Sequence, residues 1–147
     1  MSQIRSTNTT PERILRAALT RNGLSGFRLQ YRVIGRPDFA FPEERIAIFC
    51  DSDFWHGRRP LPVSNRSYWK AKMKRNMTRD LAVNAKLKAQ GWVVVRVSES
   101  EIMTSAQRTV DVITKELVRR RRERKETFAA ATGTSHQETV PSPQRTT

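Results

Sequence analysis

The stretch that most limits how this chain can fold runs from Arg36 to His56. Phe39-Ala40-Phe41 and Ile46-Ala47-Ile48-Phe49 are apolar runs of strand length, and only Pro42-Glu43-Glu44-Arg45 separates them. So short a connection between two apolar runs predicts a tight reverse turn between antiparallel strands. Pairing them symmetrically about the turn sets Asp38 opposite Phe49. Asp38 and Asp51 then share a face at the open end of the hairpin, diagonal neighbours about 7–8 Å apart between backbones. A slip of one residue would present Cys50 and Ser52 on that face instead. Phe54-Trp55-His56 follow directly, so carboxylates, an imidazole and large aromatics gather where a buried hairpin ends.

A chain of 147 residues is expected to form one domain with a real core. Its 28 Lys and Arg against 14 Asp and Glu leave a net charge of +14. A cationic excess of that size fits a polyanionic partner, most often nucleic acid; a membrane surface or a merely basic tail are the other readings. The sequence has no apolar run near the ~20 residues of a spanning helix and no signal peptide, so no membrane partner is expected. Cys50 is the single cysteine. It allows no intramolecular disulfide, argues against a cysteine-based zinc site, and fits a reducing cytoplasm.

In chain order, Thr9-Thr10-Pro11-Glu12 reads as a helix start, with a Thr cap, an early Pro and an acidic first turn. Ile14, Leu15, Ala18 and Leu19 form its apolar stripe, and Arg21-Asn22-Gly23 ends it. Glu12 is either an acid that complements the helix dipole or a carboxylate turned toward the open end of the hairpin. Residues 27–34 alternate as a strand. After a proline-containing loop over 57–65, Ser64 is placed to cap a helix over 67–90 that Gly91 stops. That helix carries Lys70, Lys72, Lys74, Arg75, Arg79, Lys86 and Lys88, a flank suited to phosphate contacts. Residues 92–97 read as another buried strand. A last helix starts at Ser98-Glu99, with Ile102, Val110, Ile113, Leu117 and Val118 as its apolar face. Residues 119–128 continue it as a basic extension, and 129–147 have the composition of a disordered tail. Residues 1–118 are thus the expected functional domain.

The predicted architecture is α/β, a mixed central β-sheet flanked by helices in three layers. For its chemistry, Asp38 and Asp51 offer hard oxygen ligands suited to Mg²⁺. His56, with a reference pKa of about 6.5, can act as a general base near neutral pH. Asp38 and Asp51 are charges at the edge of a core, which cost free energy unless they are paired or bind a cation, and a pure salt-bridge role with neighbouring Arg36 is the alternative. Phe54, Trp55 and Trp69 are either core residues or side chains that wedge between base steps.

These motifs together resemble the very-short-patch mismatch repair endonuclease (Vsr) family. The resemblance is carried by Gly35-Arg36-Pro37-Asp38-Phe39, Ile48-Phe49, Phe54-Trp55-His56, Tyr68-Trp69, the run from Lys74 to Asp80, and Gln90-Gly91-Trp92, in order over roughly residues 1–102. It implies a restriction-endonuclease-like sandwich of the PD-(D/E)XK type. It also implies Mg²⁺-dependent nicking of double-stranded DNA at a T:G mismatch; Mn²⁺ is expected as a substitute ion. By the same resemblance Asp38 is the metal-binding aspartate, His56 the general base, and Glu12 the glutamate of the first helix. Cys50 lends its backbone carbonyl to the metal. Phe54, Trp55 and Trp69 are the aromatics that intercalate. Lys72, Arg75, Asn76 and Arg79, on the basic helix over 67–90, are expected to contact DNA. Mismatch-repair or methyltransferase-associated proteins are the implied partners, and the bacterial cytoplasm, at the nucleoid, is the implied location.

Two departures stand out. Asp51 occupies a position where the family usually has a catalytic histidine, so it is expected as a catalytic or metal-binding carboxylate. Asp53, Arg58, Pro60 and Ser100 stand where the family holds structural zinc, so no zinc is expected here, and mismatch specificity is the property this departure touches most. A related nuclease serving restriction or defence, and a catalytically weak DNA-binding module, are the rival readings.

Overall fold

The computed structural model describes residues 9–52 and 64–136. Phe54, Trp55 and His56 lie outside these residues. The order of elements is α1 (Thr10–Arg21), β1 (Arg28–Leu29), β2 (Phe39–Phe41), β3 (Ile46–Asp51), α2 (Arg66–Ala89), β4 (Val93–Ser98), α3 (Glu99–Thr104) and α4 (Ala106–His136). The four strands form one sheet in the order β1-β2-β3-β4. The first two pairings are antiparallel and the last is parallel, with α2 as the crossover. The sheet is therefore mixed and helix-covered on both faces, the three-layer α/β arrangement that the sequence predicts.

The hairpin pairs as the symmetric reading requires. Phe39 faces Ile48, Ala40 faces Ala47 and Phe41 faces Ile46, a register that continues to Asp38 opposite Phe49. The turn closes by an Arg45 N–H to Pro42 carbonyl bond of 3.3 Å, with Arg45 at a φ of 56°. Alternation along β3 then divides the core between two layers. Ile46 and Ile48 pack with Leu15, Leu19, Phe39, Phe41, Ile113 and Leu117 under α1 and α4. Ala47 and Phe49 face α2 through Leu87 and Val83. Each fully buried Phe, Ile or Leu contributes roughly 1.5–3 kcal/mol, so most of the cohesion lies in the first of these layers.

Several local expectations are corrected. The strand expected over 27–34 shortens to Arg28–Leu29, because Gln30 turns to a φ of 47° and the chain then passes through bends and turns to Asp38. The cap of α2 is Asn65 in the left-handed conformation, without a side-chain bond, rather than Ser64. The final helix is two: Ser98 and Glu101 form a capping box on α3, extended backbone at Ser105 breaks it, and α4 begins at Ala106. Val118 is exposed rather than part of the apolar face. Helix α4 runs on through 119–128 and past the compositional boundary at 128 to His136; Ala129, Ala130 and Ala131, good helix formers, carry it across.

The extension is anchored at the turn end of the hairpin. Arg120 donates to the main-chain carbonyls of Glu44 and Gly91, and Arg121 donates to the buried Glu44 carboxylate at 3.1 Å. These anchors lie at the N-terminal ends of β3 and β4, the pole opposite Asp51 and Ser98.

Gly35 is where this fold tolerates least. Its φ is +80°, and an added Cβ would strike Val83 Cγ1 on α2 and crowd the Phe49 ring at 3.3 Å. Gly35→Ala is expected to cost about 2–4 kcal/mol, combining left-handed strain with overpacking. Thermal unfolding measures this, and an unchanged Tm would show that α2 is not seated against this bend.

Candidate active site

Asp38 is 2% exposed. It sits immediately before β2, where its Oδ2 accepts the Cys50 backbone N–H at 2.7 Å. That bond ties the end of one hairpin strand to the other and satisfies part of the cost of burying a carboxylate. Gln30, which sequence reasoning missed, braces it from just past the end of β1. Its main-chain N–H donates to the Asp38 carbonyl at 3.1 Å and its amide Nε2 lies 3.4 Å from Asp38 Oδ1. The left-handed backbone at Gln30 makes this double approach possible, and no local pattern announces it.

The other acids converge on the same pole. Glu12 is 8% exposed at the start of α1, where the Thr9 hydroxyl caps its own N–H. It stands in the first turn of α1, as the dipole reading has it, and its charge also acts on Cys50 at the open end of the hairpin. Burial pushes the Cys50 thiol well above its ordinary pKa, and the charges of Asp38, Glu12, Asp51 and Glu99 push it further in the same direction. A single thiol thus feels four carboxylates brought from α1, the hairpin and α3. Glu99 was not anticipated; the parallel pairing that sets Asp51 beside Ser98 delivers it.

Asp51 is on the expected face, and its Oδ1 accepts from Arg96 Nη1 at 2.8 Å. Arg96, on β4, stacks over the Phe49 ring at 4.2 Å and donates from Nε to Asn84 Oδ1 at 2.8 Å. Sequence reasoning missed Arg96 too, since its role depends on a strand pairing 45 residues away.

Beside this pole, α2 is seated by Leu87 and the partly buried Val83, both in its C-terminal half. Tyr68 and Trp69 meet edge to face at 5.2 Å, and Lys72 Nζ lies 5.6 Å from the Trp69 ring centroid. Lys72 and Asn76 are half-buried, while Arg75 and Arg79 are exposed. At spacings of three, four and seven they line one flank of the helix.

Among the described residues no three His, Cys, Asp or Glu side chains form a ready-made metal cage. Mg²⁺ does not require one, because it keeps several waters and takes one or two carboxylates plus substrate phosphate. The donor set here suits that habit. Asp38 and Asp51 are hard oxygen donors, and Gln30 Oε1 is a buried acceptor without a hydrogen-bond partner.

A helix-flanked mixed sheet, acids gathered at one pole and a basic aromatic helix alongside fit an α/β enzyme that acts on nucleic acid. The family model described as DNA mismatch endonuclease Vsr matches residues 1–60. A type II nicking enzyme, V.NmeDIP of Neisseria meningitidis serogroup C, is 35% identical over 108 residues, covering 70% of this chain and 73% of its own length. V.XorIIP of Xanthomonas oryzae pv. oryzae, another type II nicking enzyme, is 39% identical, covering 69% and 78%. The DNA mismatch endonuclease Vsr of Escherichia coli is 32% identical over 122 residues, covering 80% of this chain and 78% of its own length. The chain belongs to the Vsr family and is a DNA endonuclease. Among the described residues no helix is long and apolar enough to cross a membrane.

Proposed function

We propose that this endonuclease nicks one strand of duplex DNA at T:G mismatches, using Mg²⁺, on chromosomal DNA in the bacterial cytoplasm. The observation that carries the reading is Asp38: a buried carboxylate bonded to the Cys50 N–H and braced by Gln30, at the pole where Glu12, Asp51 and Glu99 also act on Cys50. Asp38, Asp51 and the backbone carbonyl of Cys50 are the groups that would hold Mg²⁺. When bound, the ion would neutralise charge developing on the phosphate and the leaving oxygen.

The chain's own residues supply the rest. The Cys50 N–H and Gln30 fix the Asp38 carboxylate in one orientation, so little reorganisation remains for the reacting complex. Glu12 adds a carboxylate from the far face of the sheet. His56 lies outside the described residues; its role is to take a proton from the attacking water. Lys72, Arg75, Asn76 and Arg79 hold the phosphate backbone along α2, and Trp69, with Phe54 and Trp55 outside the described residues, unstacks the base step next to the mismatch. Mn²⁺ is expected to replace Mg²⁺, and the site needs no structural zinc: Ser100, at one position where the family holds zinc, is an exposed hydroxyl sharing a 3.3 Å hydrogen bond with Ser98. Mismatch-repair or methyltransferase-associated proteins are its natural companions.

A second reading has support of its own, because V.NmeDIP and V.XorIIP carry the name type II nicking enzyme. It makes this chain a nicking enzyme of restriction or defence, without mismatch preference. Nicking of matched and T:G duplexes, compared in Mg²⁺, separates the two. Cleavage of the T:G duplex at least tenfold faster is the expected result. Equal rates on both keep the nuclease and transfer it to the second reading. Duplex binding without nicking in either Mg²⁺ or Mn²⁺ would leave only a DNA-binding module.

A further inference from the structure

Arg96 has no part in the reading above, yet no other cationic side chain of the sheet is so thoroughly engaged among the described residues. It stands on β4 beside Phe49, as the β3–β4 register requires. Its guanidinium lies over that ring at 4.2 Å, its Nε is fixed by Asn84 at 2.8 Å, and its Nη1 reaches Asp51 at 2.8 Å and Asp80 at 3.7 Å. Its side chain is 18% exposed, and those of Asp51 and Asp80 are 15% and 21%. Ring, amide and two carboxylates, drawn from β3 and α2, hold one planar cation in a single pose. A fork so held is pre-organised and always charged.

We propose that Arg96 is a positioning residue that stands as a resident cation against Asp51 and thereby sets the divalent-ion affinity of the carboxylate pole. The inference rests on the metal-dependent reading of that pole. The acids that act on Cys50 carry charge that a divalent ion offsets, and Arg96, ion-paired to Asp51 at 2.8 Å, already stands against one of them. Arg96 also ties Asp51 to Asp80 and Asn84 on α2, so the helix carrying the basic flank and the pole that does the chemistry share one ion-paired joint. The charge keeps the site from closing on a divalent ion too tightly before DNA phosphate arrives to complete the coordination.

The test is direct Mn²⁺ binding to the full chain without DNA, read by electron paramagnetic resonance of the free ion. Arg96→Met and Arg96→Gln remove the charge. The second keeps hydrogen-bonding groups at that position, and so covers the case in which the first fails to fold. Both are expected to bind Mn²⁺ about tenfold more tightly, the size of one unit charge acting on a divalent ion under near-aqueous screening. Arg96→Lys keeps the charge and is expected to restore the wild-type affinity. A purely structural role would lower the Tm of all three variants and leave Mn²⁺ affinity unchanged, which overturns the inference. Asp38→Asn separates the two levels. If it fails to weaken Mn²⁺ binding, the metal-dependent reading falls. If it weakens binding while the neutral Arg96 variants match wild type, only the role of Arg96 falls.

Discussion

Asp38→Asn is expected to lower the nicking rate at saturating DNA roughly a thousandfold, about 4 kcal/mol of transition-state stabilisation, within the several kcal/mol of charge stabilisation that carboxylate-held ions supply. The substitution is chosen for what it keeps. An amide oxygen can still accept the Cys50 N–H, so only the charge-assisted share of that 2.7 Å bond disappears, and stability should fall by about 1 kcal/mol. Asp38→Ala would remove the acceptor as well, leaving a backbone N–H at the strand end unsatisfied and mixing a folding defect into the measurement. DNA affinity should stay within about twofold of wild type, because affinity comes chiefly from phosphate contacts made elsewhere. Single-turnover nicking beside an equilibrium binding assay reads both quantities. A variant that nicks at more than a tenth of the wild-type rate would remove Asp38 from the centre of the chemistry. Unchanged cleavage chemistry with abolished binding would instead make Asp38 a support for the DNA-binding surface.

Asp38 was legible in the sequence because everything that places it is local. A turn of fixed length and two apolar runs determine the register, and the observed pairs of β2 and β3 are those expected. Gln30 was not legible, since its contact with Asp38 follows from a left-handed residue inside an alternating pattern that otherwise reads as strand. Arg96 and Glu99 were hidden for a different reason. Each reaches the pole only because β4 returns parallel to β3 after a 24-residue helix, and that crossover leaves no mark on the residues beside Asp51. The break at Ser105 shows the same limit: helical periodicity continues across it, while the chain itself bends to cover the sheet. Helix α2 was legible in extent and charge. What its sequence could not show was that only its C-terminal half is seated on the sheet.

That unequal seating leads to the other large effect. Replacing Lys72, Arg75 and Arg79 together with Ala is expected to weaken duplex binding about a hundredfold near physiological salt. The slope of log K against log salt should fall by about 2.7, close to 0.9 for each phosphate the variant no longer neutralises. The three are distributed on one flank of α2 over two turns, away from Leu87, which seats the helix. Arg75 and Arg79 are exposed and Lys72 lies beside the Trp69 ring. Ala is the best helix former, so the fold should hold, and thermal unfolding serves as the control. The loss should be nearly the same for matched and T:G duplexes, because phosphate contacts carry no sequence information. Trp69→Ala provides the contrast. Its effect should fall on the T:G duplex more than on the matched one while leaving the salt slope unchanged, since stacking releases no counterions. If the triple variant binds as tightly as wild type with an unaltered slope, the basic flank is a solvated surface and the duplex lies against another face. If the slope falls as expected but Trp69→Ala weakens both duplexes alike, α2 is a phosphate clamp, and any preference for a mismatch must come from elsewhere in the site.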